Sequence, residues 1–182
     1  TVISAGSPLG AALAARWMDT HGDNLFNLYG STEAGGVALA TPEDLRAAPG
    51  TVGRMPLGAE VRILDSMGCA LPAGLPGHIC VRSGMLFEGY VGGGGKPMIN
   101  GYMNTGDIGY LDAEGRLFVE GREDDMIVSG GENVFPLEVE EWLAAYPGVA
   151  EVAVVGVTDA EFGQRLKAFV VEAEGAGLCA GV

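Results

Sequence analysis

The sequence predicts a mixed chain, α+β and α/β in character, in which a strand-rich block is followed by a small α+β module. Three observations carry that prediction. Apolar alternation over Glu60–Leu64 and His78–Arg82 marks half-buried strands in the first block. Leu9, Leu13, Trp17 and Met18 stand at near-helical spacing ahead of Gly22, a stop signal. After Gly121 the texture changes, and a β-α-β-β order follows.

The elements read in order as follows. Ser4 to Leu9 is a Gly/Ser/Pro loop, Leu9 to His21 a helix, Leu25 to Tyr29 a short strand, Gly30 to Glu33 a turn and Val37 to Ala40 a second strand. Thr41-Pro42-Glu43-Asp44 opens a capped helical turn with Pro at its first position, where the missing N–H costs nothing. Leu71 to Gly77 is Pro/Gly punctuation, Gly84 to Gly106 a long Gly-rich loop and Leu117 to Glu120 a further strand. In the second block Met126 to Val128 is a strand and Pro136 starts a helix with Val139, Trp142, Leu143 and Tyr146 on one face. Val149 to Val157 and Leu166 to Glu172 are strands joined by a turn at Asp159 to Gly163. The expected division is residues 1–121, a junction at 122–125, and residues 126–182.

Composition narrows the function classes. Hydrophobic residues make up 48% of the 182 residues, enough to build a packed core. A formal net charge of −14 argues against nucleic acid as a partner, since that binding needs a dense cationic surface. It leaves nucleotides open, because backbone N–H groups and one arginine can hold a phosphate or a ribose. Cys69, Cys80 and Cys179 show no C-x-x-C spacing, so free thiols are expected rather than a zinc site or a disulfide framework. No apolar run is long enough for a membrane-spanning helix. The chain opens on Thr1-Val2-Ile3-Ser4 without a basic n-region, which reads as the interior of a longer coding sequence.

Four segments could carry chemistry, and each has a plain structural reading beside the functional one. In Tyr29-Gly30-Ser31-Thr32-Glu33, hydroxyls and turn amides can take a phosphate, Glu33 can hold Mg²⁺ and Tyr29 can stack on a base. The same residues also fit a helix start, with Ser31 or Thr32 as cap and Glu33 in the first turn. In Thr105-Gly106-Asp107, a carboxylate fixed after a glycine can accept two ribose hydroxyls, or the segment is an ordinary turn. Arg122 in Gly121-Arg122-Glu123-Asp124-Asp125 can meet ribose or phosphate, or belong to a solvated charge cluster. The pair Gly130-Gly131 allows a slender ligand arm close to backbone, or only a turn with positive φ.

Singly these signals are weak; their order and spacing are not. Ser4-Ala5-Gly6-Ser7-Pro8-Leu9, Tyr29 to Glu33, Thr105 to Asp107, Gly121 to Ile127 and Ser129 to Val134 resemble consecutive core motifs of the adenylate-forming (AMP-binding) superfamily, and the resemblance runs from about Ser4 to Val171. It implies the end of a large N-terminal domain plus the start of a small C-terminal one. It implies activation of a carboxylate by ATP to an acyl-AMP, then transfer to a thiol, usually of CoA. The implied cofactors and co-substrates are ATP/AMP, Mg²⁺ and CoA; the implied partners are small molecules, a carboxylic acid among them, in a cytoplasmic setting or at a membrane periphery.

By that resemblance Gly6, Ser7, Pro8 and Tyr29 would enclose the adenine. Gly30, Ser31 and Thr32 would meet phosphate, Glu33 would bind Mg²⁺, and Thr32 and Glu33 would serve catalysis. Asp107 would hold the ribose hydroxyls, assisted by Arg122. Asp124 would be the hinge, Gly130 and Gly131 would line the CoA tunnel, and Phe162 would meet the CoA arm. The run Gly130 to Pro136 is closer to acyl-CoA ligases, fatty-acyl ones in style, than to peptide-synthetase domains. The family's phosphate loop and adenylation lysine have no match in these residues; Lys96 and Lys167 are not that lysine. Full activity from these 182 residues alone is therefore not expected. Three other readings stand beside this one: a non-catalytic AMP- or CoA-binding fragment, an adenylation domain that loads a carrier protein, and a structural or interaction fragment that kept the fold and lost its ligand.

Overall fold

A computed structural model describes residues 1–177, which divide into two compact units, one of Thr1–Val119 and one that starts at Glu120. In the first unit, β1 (Val2–Ala5), α1 (Ala11–His21) and β2 (Leu25–Ser31) form a βαβ crossover whose strands pair in parallel, Ala5 opposite Leu28. β3 (Gly35–Ala40) returns antiparallel to β2 and completes a three-stranded sheet. α1 lies on this sheet through Ala14 and Met18, packed with Leu25, Ala40 and Leu45, with Leu9 and Trp17 at the edge.

α2 (Pro42–Ala47) is fixed by a reciprocal cap. The Thr41 hydroxyl accepts from the Asp44 N–H at 3.2 Å, and the Asp44 carboxylate accepts from the Thr41 N–H at 3.2 Å. A second sheet has the order β4 (Ala59–Leu64), β5 (Gly77–Ser83), β7 (Tyr102–Leu111), β6 (Met98–Ile99), with β8 (Leu117–Arg122) also on β7. The main core lies between the two sheets. Ala34, Val37 and Ala38 from the first meet Val61, Ile63, Ile79, Val81, Met103 and Leu117 from the second. Thr51, fully buried, ties them together: its hydroxyl donates to the Leu117 carbonyl at 2.9 Å and accepts from the Gly53 N–H at 3.0 Å. Gly53 has φ +88°, and a Cβ there would stand 2.1 Å from the Leu39 carbonyl oxygen, so only glycine fits.

In the second unit β9 (Ile127–Ser129) and β10 (Glu132–Val134) form a hairpin, α3 (Pro136–Ala144) follows, and β11 (Val149–Asp159) and β12 (Gly163–Glu172) form a long hairpin; the sheet order is β10-β9-β12-β11. A short 3₁₀ turn, Glu123–Asp125, precedes β9. α3 is fastened to β11 by the Glu140 carboxylate, which accepts from the Val154 N–H at 2.8 Å.

Several sequence expectations are corrected. Ser4 and Ala5 belong to β1 rather than to a loop, because β1 finds a parallel partner in β2. The stretch expected as one loop from Gly84 to Gly106 contains β6 and the start of β7. Tyr102–Leu111 is rich in poor strand formers, and pairing with β5, β6 and β8 holds it extended. The hairpin strand β10 was not anticipated. The expected apolar face of α3 is only partly covered among the described residues: Val139 and Leu143 are half-buried, whereas Trp142 is 83% exposed and Tyr146, past the end of the helix, 64%. Cys69 is exposed and Cys80 buried, both as free thiols, while Cys179 lies outside the described residues. Among the described residues no helix is long and apolar enough to cross a membrane.

Candidate nucleotide site

The first unit gathers most of the expected residues at one end of its two sheets. β1 and β2 are parallel, so the loop Gly6-Ser7-Pro8 after β1 and the segment Tyr29 to Glu33 at the end of β2 share the carboxyl edge, where ligands of α/β sheets bind. Gly6 has φ +90° and open space around it, and Ser7 and Pro8 are exposed.

Tyr29 to Glu33 is not a helix start. It leads into a tight β2–β3 hairpin, with Gly30 opposite Gly36 and Ser31 opposite Gly35. A Cβ at Gly30 would lie 2.1 Å from the Gly35 carbonyl oxygen, so the neck closes only with glycine. The Ser31 hydroxyl accepts from the Ala34 N–H at 3.2 Å and caps the turn. Thr32 is exposed and Glu33 half-buried.

Glu33 is held from elsewhere. Its carboxylate accepts from the Tyr90 hydroxyl at 2.8 Å, and its carbonyl accepts from the Phe87 N–H at 2.9 Å. The Tyr90 hydrogen bond, above all, holds the Glu33 carboxyl below the usual carboxylate range, with its own backbone N–H, Ser31 and the Lys96 charge acting the same way. The same bond pushes the Tyr90 phenol up.

Asp107 reaches this site through a bulge. His78 pairs with Ile108 but Cys80 with Asn104, so β7 spends four residues where β5 spends two. The bulge turns on Gly106, φ +83°. Asn104 Oδ1 accepts from the Gly106 N–H at 2.8 Å, and Thr105 Oγ1 accepts from the Asp107 N–H at 3.1 Å while donating to the Ile79 carbonyl at 3.0 Å. Thus Thr105-Gly106-Asp107 is neither a free turn nor a regular strand. Tyr29 Oη donates to Asp107 Oδ2 at 2.5 Å, which sets an aromatic ring and a fixed carboxylate side by side. Lys96 Nζ donates to the Thr105 carbonyl at 3.2 Å.

The remaining expected residues belong to the second unit. Arg122 ends β8 and pairs with Asp124 at 3.6 Å, both with exposed side chains. Asp124 lies in the 3₁₀ turn Glu123–Asp125. Gly130 and Gly131 form the β9–β10 turn with φ +60° and +91°. Gly130 donates its N–H to the Phe162 carbonyl at 3.0 Å, and a Cβ there would meet the Phe162 ring at 3.0 Å; around Gly131 the space is open.

Sequence reasoning passed over Tyr90 as a site residue and set Lys96 aside. The available signal was the run Gly92 to Gly95 flanked by an aromatic and a cation, which reads as a turn until its flanks are seen to return to Glu33 and Thr105.

Comparison with known proteins shows the family. The family model described as AMP-binding enzyme matches residues 1–91, and that described as AMP-binding enzyme C-terminal domain matches residues 138–180. A long-chain-fatty-acid–CoA ligase of Escherichia coli O6:H1 is 35% identical over 170 residues, covering 92% of this chain and 30% of the relative. An indoleacetate–CoA ligase of Aromatoleum aromaticum is 36% identical over 184 residues, covering 99% of this chain and 36% of the relative. The crystal structure of ATP-bound MatB from Rhodopseudomonas palustris superposes with a TM-score of 0.88 at 35% identity, over 97% of this chain and 36% of that one. The chain thus spans about a third of the length of the relatives it matches. With half of its residues matched by the first model and the second matching further along, the chain belongs to the AMP-binding enzyme family.

Proposed function

We propose that these residues form the nucleotide-handling part of an AMP-forming acid–thiol ligase, an acyl-CoA synthetase. The observation that carries the reading is the Tyr29–Asp107 pair beside the Glu33 turn. In this reading the Tyr29 ring, with Gly6, Ser7 and Pro8, offers a face and a flank for adenine. The Asp107 carboxylate accepts from the ribose hydroxyls, and Gly30, Ser31 and Thr32 present small groups and hydroxyls to phosphate; Arg122, in the second unit, is a further proposed nucleotide contact on the family resemblance.

Glu33 suits Mg²⁺. That cation keeps several waters and takes one or two carboxylates together with substrate phosphates, so a single ionised carboxylate on a rigid turn is a sufficient protein share. Bound there, Mg²⁺ would supply charge neutralisation for the phosphates. This chain's own residues would orient the nucleotide for attack by a carboxylate oxygen on the α-phosphorus, with pyrophosphate leaving. The acyl-AMP would then lose AMP to an attacking thiol, for which CoA is the proposed source. In the second unit Asp124 is the proposed hinge, and Gly130 and Gly131 the proposed walls for the pantetheine arm. The proposed junction is 122–125, and the proposed setting is the cytoplasm. A fatty acid is the proposed acyl donor, on the likeness to the fatty-acid–CoA ligase.

The test is pyrophosphate release with Mg-ATP and carboxylic acids from acetate to long fatty acids. It is run on this chain and on a protein in which the chain is extended to the full length of its relatives. Acid-dependent release by the extended protein, lost in Asp107→Ala and followed by CoA thioester formation, supports the reading. Activity unchanged by Asp107→Ala refutes the assigned roles. Transfer to a carrier-protein thiol in place of CoA would favour a carrier-loading ligase.

A further inference from the structure

The Gly-rich segment between β5 and β6 is ordered around its glycines. Gly89, Gly92, Gly93 and Gly94 have φ of +137°, +98°, +99° and +88°, a backbone that side-chain-bearing residues rarely adopt. The Tyr90 N–H donates to the Gly94 carbonyl at 3.1 Å and the Gly93 N–H to the Tyr90 carbonyl at 3.0 Å, which closes the reversal within a few residues. The consequence is that the two residues flanking the reversal both point back to the site. Tyr90, its ring edge-on to Phe87 at 4.9 Å, donates to the Glu33 carboxylate, while Lys96 donates to the Thr105 carbonyl at the root of the Asp107 bulge. Phe87 holds the Glu33 main chain as well.

We propose that residues 84–97 act as a clamp on the nucleotide site: Tyr90 is a positioning residue for Glu33, and Lys96 is a positioning residue for the bulge that aims Asp107. The inference rests on the nucleotide reading given above and adds a division of labour within it. Glu33 is a flexible side chain at a hairpin tip, and the Tyr90 hydroxyl selects one of its rotamers before any ligand arrives. Tyr90 therefore affects metal-bound triphosphate alone, whereas Lys96, through Asp107 and the ribose common to both, affects AMP and triphosphate alike.

The experiment uses the 182-residue chain and the variants Tyr90→Phe, Lys96→Met and Lys96→Arg. AMP and Mg-ATP are titrated by calorimetry, and the Glu33 carboxylate and the Gly106 and Asp107 amides are followed by NMR. Tyr90→Phe keeps the ring and is expected to weaken Mg-ATP about three- to tenfold, to leave AMP within about twofold, and to shift the Glu33 carboxylate signal at fixed pH. Lys96→Met is expected to weaken both nucleotides and to shift the Gly106 and Asp107 signals, and Lys96→Arg to restore them. Equal losses for the two nucleotides in Tyr90→Phe, or none, overturn the division of labour. If the unmodified chain binds neither nucleotide, the nucleotide reading falls by itself. The clamp is then judged on the NMR signals, and an unmoved Glu33 carboxylate signal in Tyr90→Phe with unmoved bulge amides in Lys96→Met overturns it.

Discussion

Tyr29 on β2 and Asp107 on β7, 78 positions apart in sequence, meet through a 2.5 Å hydrogen bond from phenol to carboxylate. The bond joins the first sheet to the second at the edge where the Gly6-Ser7-Pro8 loop also lies. It fixes the carboxylate before a ligand arrives, which lowers the ordering cost of binding.

Two substitutions separate positioning from contact. Asp107→Ala removes the proposed acceptor for ribose and is expected to weaken AMP binding at least tenfold by calorimetry, the order of a charge-assisted hydrogen bond. Tyr29→Phe keeps the ring and loses the hydroxyl's bond to Asp107 and its longer contact with Thr105 Oγ1 at 3.5 Å, so a smaller loss, about two- to fivefold, is expected. A larger loss from Tyr29→Phe than from Asp107→Ala would reverse the assignment.

Cys80 offers a pH signature of the second sheet. It is fully buried beside Leu64 and Tyr102, and burial pushes its thiol from 9.0 up to about 11. The folded state therefore holds the proton longer than the unfolded chain. The associated stability is present below pH 9.0 and is lost as pH rises through about 11. Denaturation at pH 8 and pH 11 is expected to show a fall of up to about 2–3 kcal/mol from this group. In Cys80→Ala that part of the slope disappears. Under native conditions at pH 8, alkylation followed by peptide mapping is expected at Cys69 and not at Cys80.

The glycine between Ile108 and Tyr110 is a steric test of the β7–β8 pairing. A Cβ at Gly109 would stand 2.1 Å from the Phe118 carbonyl oxygen and 2.9 Å from the Ile79 side chain. Gly109→Ala is expected to cost about 3 kcal/mol or more, because backbone and core must both shift. By contrast Gly84→Ala, with open space around it, is expected to change stability by less than about 0.5 kcal/mol. Thermal unfolding of the two variants checks the contrast.

The α2 cap gives a calibrated case. Thr41→Ala deletes the hydroxyl that accepts from the Asp44 N–H and is expected to cost about 1 kcal/mol in urea denaturation, with Thr41→Ser recovering most of it. No recovery by serine would mean that packing of the threonine methyl, not the cap, holds the helix.

Local rules were enough for α1, α2 and the alternating strands β4 and β5. Helical spacing, a capping residue and period-2 alternation are written within a few positions of the elements they specify. The order of motifs from Gly6 to Gly131 likewise identified the family without coordinates. Tertiary structure decided the rest, and in each case the deciding partner is remote or nonperiodic. β7 is a strand because three neighbours pair with it despite Gly106 and Gly109, and the two-residue surplus against β5 turns Thr105-Gly106-Asp107 into a bulge. Tyr29 to Glu33 becomes a hairpin neck because β3 returns onto β2. Tyr90 and Lys96 meet Glu33 and Thr105 only because the glycine reversal carries them back there. Sequence spacing fixes side-chain periodicity along one element, whereas meetings between elements depend on register and loop path, which no local pattern encodes.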